Sequence, residues 1–330
     1  MKKAVKAIAL LSGGLDSILA AKLILDQGID VEAINFSTVF YARYGEAKVA
    51  ARRLDIKLTI LDINKELFEI LKNPQHGFGR HLNPCIDCHA LMLKKASLYM
   101  KEKGAKFLVT GEVLGERPMS QRKDSLQVID KDTGLAGFIL RPLSAKLLEP
   151  TLAEQRGLIA RDKLLAIEGR SRKPQIQLAR ELGIDSYPNP AGGCLLTEEG
   201  FANRMKDLMV EKKEFNVNDV QFLKIGRHFR LKQDAKLIVG RNEKENKRLL
   251  ALVKEGDLCF YPVNVKGPTA IGKGIFSKDI LPIAASIVAR YSDSDKTQEL
   301  EIAYKTLPSD TFTPITISPA KEETLDSLRI

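Results

Sequence analysis

The sequence has no apolar run near the roughly twenty residues that a membrane-spanning helix requires, so no membrane partner is expected. It has no internal repeat and no low-complexity tract. Both of the commonest phosphate-loop patterns, Gly-x-x-x-x-Gly-Lys-Ser/Thr and Gly-x-Gly-x-x-Gly, are missing at its N-terminal turn. Met1-Lys2-Lys3 followed by Ala4 to Leu11 has the outline of a signal peptide. That run ends in a glycine-rich turn and not in a cleavage site, so the expected location is cytoplasmic. Cysteine is scarce, four in 330 residues. In a reducing compartment such cysteines are ligands, catalysts or core residues before they are disulfides.

What is present is enough chain for two domains, 44% hydrophobic residues for their cores, and a net charge of +10. That charge suits a polyanionic partner such as nucleic acid, with a solvated basic surface as the plainer reading. The most informative stretch is Ser12-Gly13-Gly14-Leu15-Asp16-Ser17. Val5 to Leu11, broken only by Lys6, reads as a buried strand before it, and Ile18 to Leu25 as a helix after it. Two adjacent glycines let the backbone turn tightly and approach a ligand. Ser12 and Ser17 add hydroxyls, and a helix start offers free N–H groups and the positive end of its dipole, so the turn is an anion site. Asp16 fits a phosphate site if it binds Mg²⁺ or caps the helix. The competing reading is a serine–glycine turn that only caps. The pattern Ser-Gly-Gly-x-Asp-Ser resembles the pyrophosphate loop (PP-loop) of the ATP-pyrophosphatase superfamily. The resemblance implies ATP on Ser12, Gly13, Gly14, Leu15, Asp16 and Ser17, split between its α and β phosphates, and adenylation of a carbonyl oxygen.

Strand patterns at 31–36, 57–61, 106–109 and 138–140 alternate with helix patterns at 42–54, 65–71 and 90–103. That alternation predicts an α/β fold with a doubly wound parallel sheet, in which ligands bind beyond the carboxyl ends of the strands. Phe36, Ser37 and Thr38 then stand beside the first turn, against adenosine. Residues 72–84 read as an ordered functional loop, and 110–121 as an active-site segment, with a helix starting near Ser120. Arg141 or Lys146 is a candidate for phosphate or RNA contact, against the reading of ordinary surface cations. Stretches 152–159, 161–167 and 173–182 read as helices, 169–173 as a basic turn, and 187–194 as a rigid loop ending in Cys194.

Cys85 and Cys88 form a Cys-x-x-Cys pair, with Cys194 over a hundred residues away. Three readings compete. Three thiolates hold an iron–sulfur cluster with one iron open to sulfide; or zinc takes the three with His89; or Cys194 carries a persulfide that one of the pair resolves. An idle pair plus a buried cysteine is the plain alternative. Cys259 reads as core.

The first turn, the segment Thr110-Gly111-Glu112 to Ser120-Gln121, and Leu140-Arg141-Pro142-Leu143 together resemble the tRNA 4-thiouridine synthetases, over roughly residues 5–200. The cysteine set resembles the iron–sulfur-dependent tRNA thiolases. These resemblances imply an adenine nucleotide α-hydrolase-like fold, Gly111, Glu112 and Gln121 in the ATP site with Phe36 and Ser37, and Cys85, Cys88 and Cys194 as ligands of a [4Fe-4S] cluster whose open iron holds sulfide. Asp16 and the three cysteines are then the catalytic set. The RNA-binding and rhodanese modules of some 4-thiouridine synthetases have no counterpart in this sequence, which leaves the grip on tRNA and the sulfide or persulfide donor open. From about Phe215 the texture becomes basic strands and helices. Gly240-Arg241-Asn242, Lys266-Gly267-Pro268 and Ala289-Arg290-Tyr291-Ser292 resemble the RNA-binding NFACT-R domain, with Arg227, Arg230, Lys232, Arg241 and Lys247 as phosphate contacts. The expected layout is a PP-loop domain over 1–198, a helical linker over 199–214, a smaller α+β RNA-binding domain over 215–307 and a loose tail over 308–330. The expected activity is a cytoplasmic ATP-dependent tRNA sulfurtransferase making 4-thiouridine. The alternatives are another PP-loop adenylating synthetase, of amidotransferase type, or a nucleotide-regulated RNA-binding protein. The sequence leaves the oligomeric state open.

Overall fold

The computed structural model describes residues 5–41, 45–188 and 193–330. The chain divides into two compact units, Met1–Thr197 and Glu198–Ile330.

In the first unit β1 (Lys6–Leu10), β2 (Asp30–Ser37), β3 (Leu58–Asp62), β4 (Phe107–Val109) and β5 (Ile139–Leu140) form one parallel sheet, in the order β3-β2-β1-β4-β5. The connecting helices are α1 (Leu15–Leu25), α2 (Glu46–Arg53), α3 (Asn64–Lys72), α4 (Cys85–Glu102), α5 (Lys123–Thr133), α6 (Leu152–Gln155) and α7 (Lys173–Glu181). Parallel strands are covered on both faces, so β1 is apolar at successive positions and does not alternate. Ala7 and Ala9 pack with Ile24 on one face; Ile8 packs with Leu93 and Ala96 on the other. Each fully buried Ile or Leu of this kind contributes roughly 1.5–3 kcal/mol. Strand order reverses on leaving β1 for β4, which opens a crevice between their carboxyl ends.

Three elements differ from the sequence reading. The cysteine helix starts at Cys85 and not at Ala90, with Pro84 at its N-cap, so the Cys-x-x-Cys lies on a first helical turn. The helix read at 152–159 ends at Gln155, because Gly157 (φ +66°) turns the chain left-handed. The helix read at 161–167 is a single 3₁₀ turn, Arg161–Lys163. After it the chain extends so that Leu165 N donates to Pro142 O (2.9 Å) and Ile167 N to Leu143 O (2.8 Å). The expected start of α2 at 42–44, and 189–192 of the proline-rich loop, lie outside the described residues.

The second unit holds α8 (Glu199–Glu211), α9 (Val217–Leu223), β6 (Arg227–Lys232), β7 (Ala235–Val239), α10 (Glu243–Leu250), β8 (Leu258–Pro262), β9 (Ala270–Gly274), α11 (Ile280–Arg290), β10 (Leu300–Thr306), β11 (Thr313–Ile317) and α12 (Glu322–Leu328). Its strands make one antiparallel sheet, β11-β10-β8-β9-β7-β6. α11 lays Ala284 and Val288 on one face against Phe229, Leu237, Phe260 and Ile302. Phe222, Ile238, Leu249, Cys259 and Ile271 fill the other, so Cys259 is core. Two boundaries differ from expectation. The helix read as a linker carries Asp207, which bonds Arg230 and Lys236 of the sheet and makes α8 part of this unit. The stretch read as a tail pairs β11 with β10 and buries Leu325 of α12. Its alternating Thr313-Pro314-Ile315-Thr316-Ile317 is the pattern of a half-exposed edge strand.

Candidate nucleotide and cysteine site

The Ser12–Ser17 turn leaves β1 and opens α1, as the sequence predicts. Gly13 stands at φ +86°, and a Cβ there would sit 2.5 Å from the backbone nitrogen of Ala47. Gly111, at the exit of β4, packs just as tightly on α1. A Cβ on it would lie 2.5 Å from Ser17 N and 2.6 Å from the carbonyl carbon of Asp16. Both glycines are therefore required by close backbone approach, and they hold the β1, β4 and α2 backbones around one crevice. Gly14, the N-cap of α1, makes no side-chain cap, so the helix's first N–H groups remain available to an anion. Ser17 Oγ donates to Gly14 O (2.8 Å), and Ser12 Oγ lies 3.2 Å from it and accepts from Gly14 N (3.3 Å). Phe36 is buried and Ser37 half-buried at the end of β2.

Buried polar atoms without a hydrogen-bond partner gather at this crevice. They are Asp16 Oδ1, Arg172 Nε, and both amide atoms of Gln175, which is 0% exposed; Gln121 Oε1, on the loop that follows β4, is a further unpartnered buried atom. Burial pushes the Asp16 carboxyl up, opposed by Arg172 and Arg117. Glu116 is pushed up as well, by burial and then by the charge of Asp16. Two carboxylates, two arginines and a buried amide beside Asp16 thus surround the start of α1, where a polyphosphate with a cation would bind. Arg172, Gln175 and Glu116 were not legible as site residues. The available signal was the basic turn before Pro174, which starts α7, but nothing local told that α7 packs on α1.

Glu112 is buried in an ion network. Arg141 Nε (2.9 Å) and Thr110 Oγ1 (3.0 Å) donate to its Oε2, and His89 Nδ1 lies 3.0 Å from its Oε1. Burial raises the Glu112 carboxyl, but Arg141 and then His89 outweigh it and hold the group at about 2. Arg141 closes the network with a bidentate pair to Asp130 (2.7 and 3.0 Å). This corrects the reading of Arg141 as a phosphate or RNA contact: at 5% exposure its Nε and both terminal nitrogens already donate to carboxylates. Lys146 donates to Asp162 O (2.8 Å). His89 follows Cys88 directly, so the network ties the cysteine helix to the β4 loop.

The cysteines converge. Leu195 N donates to Phe40 O (3.0 Å) and Leu82 N to Leu196 O (3.2 Å), which brings the Cys194 segment to the end of β2 and to the approach of α4. Tyr41 stands among all three: its Oη is 4.0 Å from Cys88 Sγ, and the charge of Cys88, burial, then Cys194 and Cys85 hold its phenol well above the ordinary value. Burial pushes Cys88 up to about 12 and raises Cys85, the latter opposed by Arg117 and a bond from Asn83. As placed, no group of three or more His, Cys, Asp or Glu among the described residues stands in metal-holding geometry. An all-thiol donor set suits iron or zinc, which would replace those protons.

In the second unit Arg230 is bonded to Asp207 and Glu211 (each 2.6 Å at its closest), and Lys236, 4% exposed along its side chain, also bonds Asp207 (2.7 Å). Lys247 pairs with Glu243 on the open face of α10, and Lys232 is exposed. Arg241 chelates Glu245, and Arg227 stacks on Tyr291 at 4.4 Å.

The sheet order, the glycine-rich turn after β1 and the separate antiparallel unit define a PP-loop-type α/β domain joined to a second sheet domain. Residues 3–147 match the family described as thiamine biosynthesis protein (ThiI), and residues 226–329 match the family described as NFACT protein RNA binding domain. A probable tRNA sulfurtransferase of Lysinibacillus sphaericus is 33% identical over 162 residues, 46% of this chain and 38% of that protein. One from Thermococcus kodakarensis is 28% identical over 142 residues, 42% of this chain and 36% of that protein. A tRNA-specific 2-thiouridylase of Stutzerimonas stutzeri is 25% identical over 240 residues, 68% of this chain and 60% of that protein. The chain thus spans 36–60% of the length of these relatives. It resembles the PP-loop tRNA thiolation enzymes over its first unit and the NFACT-type RNA-binding domain over residues 226–329. Among the described residues no helix is long and apolar enough to cross a membrane.

Proposed function

We propose that this chain is an ATP-dependent tRNA sulfurtransferase that adenylates a uridine carbonyl and replaces its oxygen with sulfur, giving 4-thiouridine. The observation that carries the reading is Tyr41 among three cysteines at the exit of β2, the strand beside the Ser12–Ser17 turn. Activation and sulfur delivery then share one edge of one sheet.

The phosphates of ATP lie on the N–H groups of the turn, and Asp16 would hold Mg²⁺, which would neutralise charge on the departing pyrophosphate. Arg172 and Arg117 face the same charge. The target base leaves its stack to reach the crevice. Its O4 attacks the α-phosphorus, the bond to the β-phosphate bridge breaks, and pyrophosphate leaves. A sulfide sulfur then adds to C4, the C4–O bond breaks, and AMP leaves. Cys85, Cys88 and Cys194 would hold a [4Fe-4S] cluster, which would supply an open iron for the incoming sulfide. Both cysteine-bearing segments are fastened, the helix through His89 to Glu112 and the Cys194 segment through Leu195 to Phe40.

The test is incubation with ATP, Mg²⁺, sulfide and tRNA, with AMP and nucleosides read by mass spectrometry, after anaerobic purification with iron and zinc analysis. AMP and a thionucleoside that both require tRNA support the reading. AMP formed with a small acid and no RNA makes the chain a different PP-loop synthetase. No AMP under any condition makes it a nucleotide-regulated RNA-binding protein.

A further inference from the structure

The second unit contains a cavity of about 580 Å³ lined by Arg227, Arg241, Arg290, Lys296, Arg329, Tyr291 and Glu322. Its size falls within the range of ligand pockets, about 300–1,000 Å³. Five cations and one carboxylate line it; Arg241 is already held by Glu245 and Arg329 lies 3.6 Å from Asp326, which leaves Arg227 and Lys296 without a carboxylate among the described residues. Glu322, on α12, bonds Arg290 (3.0 Å) and lies 3.8 Å from Arg329. The guanidinium carbon of Arg227 lies over the Tyr291 ring, 4.4 Å from the centroid. Tyr291 is fixed from its other end, where Arg329 donates to its hydroxyl (3.0 Å). Cations crowded this closely repel one another, and a bound anion relieves them. The Arg227–Tyr291 pair adds two flat π-systems on which a base can stack, the way unpaired RNA bases are held.

We propose that this cavity takes one unpaired RNA nucleotide, its phosphate on Arg290, Arg329 and Lys296 and its base on the Arg227–Tyr291 stack, with Glu322 occupying the phosphate position until RNA displaces it. This rests on the reading of the chain as an RNA enzyme and adds to it a place, a strand state and an internal competitor. Phosphate and base contributions are separable: UMP should compete better than inorganic phosphate.

The experiment uses the full chain and a labelled, unstructured oligouridylate, an RNA duplex of equal length, and tRNA. The single strand should bind about tenfold or more tighter than the duplex. Arg227→Ala and Arg290→Gln should each weaken single-strand binding by about tenfold, and Arg290→Gln should lower the salt slope by about one. Glu322→Gln should tighten binding severalfold, an effect that misfolding does not produce. If the protein binds tRNA but these variants bind like the parent, or Glu322→Gln weakens binding, the assignment of this cavity is overturned while the thiolation reading stands. If the parent binds no RNA of any kind, both fall.

Discussion

Replacing Glu112 by glutamine removes the negative charge that balances Arg141 and faces His89 in a site both side chains leave only 5–8% exposed. The ordinary carboxyl value is 4.5 and the folded one about 2. The shift converts to roughly 3 kcal/mol of stability, which agrees with the about 3–5 kcal/mol lost when one partner of a buried pair is removed. For a unit of this size that is a fall in melting temperature of about 6–12 °C. The pH dependence has a fixed sign. A folded value below the ordinary one gives stability fully present above pH 4.5 and lost as pH falls toward 2. Thermal melts of parent and Glu112→Gln should therefore differ by a constant amount from pH 8 to 5 and converge below that. The variant should also lose thiolation more than AMP formation, because His89 anchors the turn that carries Cys85 and Cys88. A variant within about 1 kcal/mol of the parent at pH 7, or a gap that does not change on acidification, would refute the network's role.

Gly111→Ala puts a methyl into the backbone of Ser17; ATP affinity by calorimetry should fall by at least about tenfold, a loss of about 1.4 kcal/mol. Asp16→Asn should raise the KM for Mg–ATP by a similar factor while leaving the protein as stable or more so at pH 7, since burial disfavours that carboxylate in the folded state. A loss of stability on Asp16→Asn would contradict the reading of its unpaired oxygen as a place kept for a cation. Asp207→Ala strands the buried Lys236 without its carboxylate and leaves Arg230 with Glu211 alone, and urea melts should show the second unit destabilised by about 3–5 kcal/mol.

The first unit was legible where apolar runs end in glycine and serine, because parallel strands buried on both faces need no alternation to be recognised. The nucleotide turn was legible because Gly13 and Gly14 stand at its tightest point. The helix pattern that begins at Ala90 leaves Cys85 and Cys88 unassigned, although their i, i+3 spacing also fits a first helical turn, which is what they form. Arg141 shows the opposite error: a cation at the edge of a sheet looks exposed until Asp130 and Glu112, both distant in sequence, are brought to it. Gln175 and Arg172 matter through the packing of α7 on α1, which no local pattern encodes. In the second unit β9 (Ala270-Ile271-Gly272-Lys273-Gly274) was missed because two of its five residues are glycine.

The central claim is that nucleotide activation and sulfur delivery are separate acts of one pocket. The most direct measurement compares Cys194→Ala with the parent, supplied with ATP, tRNA and sulfide, reading AMP and thionucleoside from the same reaction. The account predicts tRNA-dependent AMP formation within about twofold of the parent, less than the 1.4 kcal/mol that corresponds to tenfold, with no thionucleoside. Parent-like thionucleoside from Cys194→Ala, or loss of both products in a protein that melts like the parent, would contradict it.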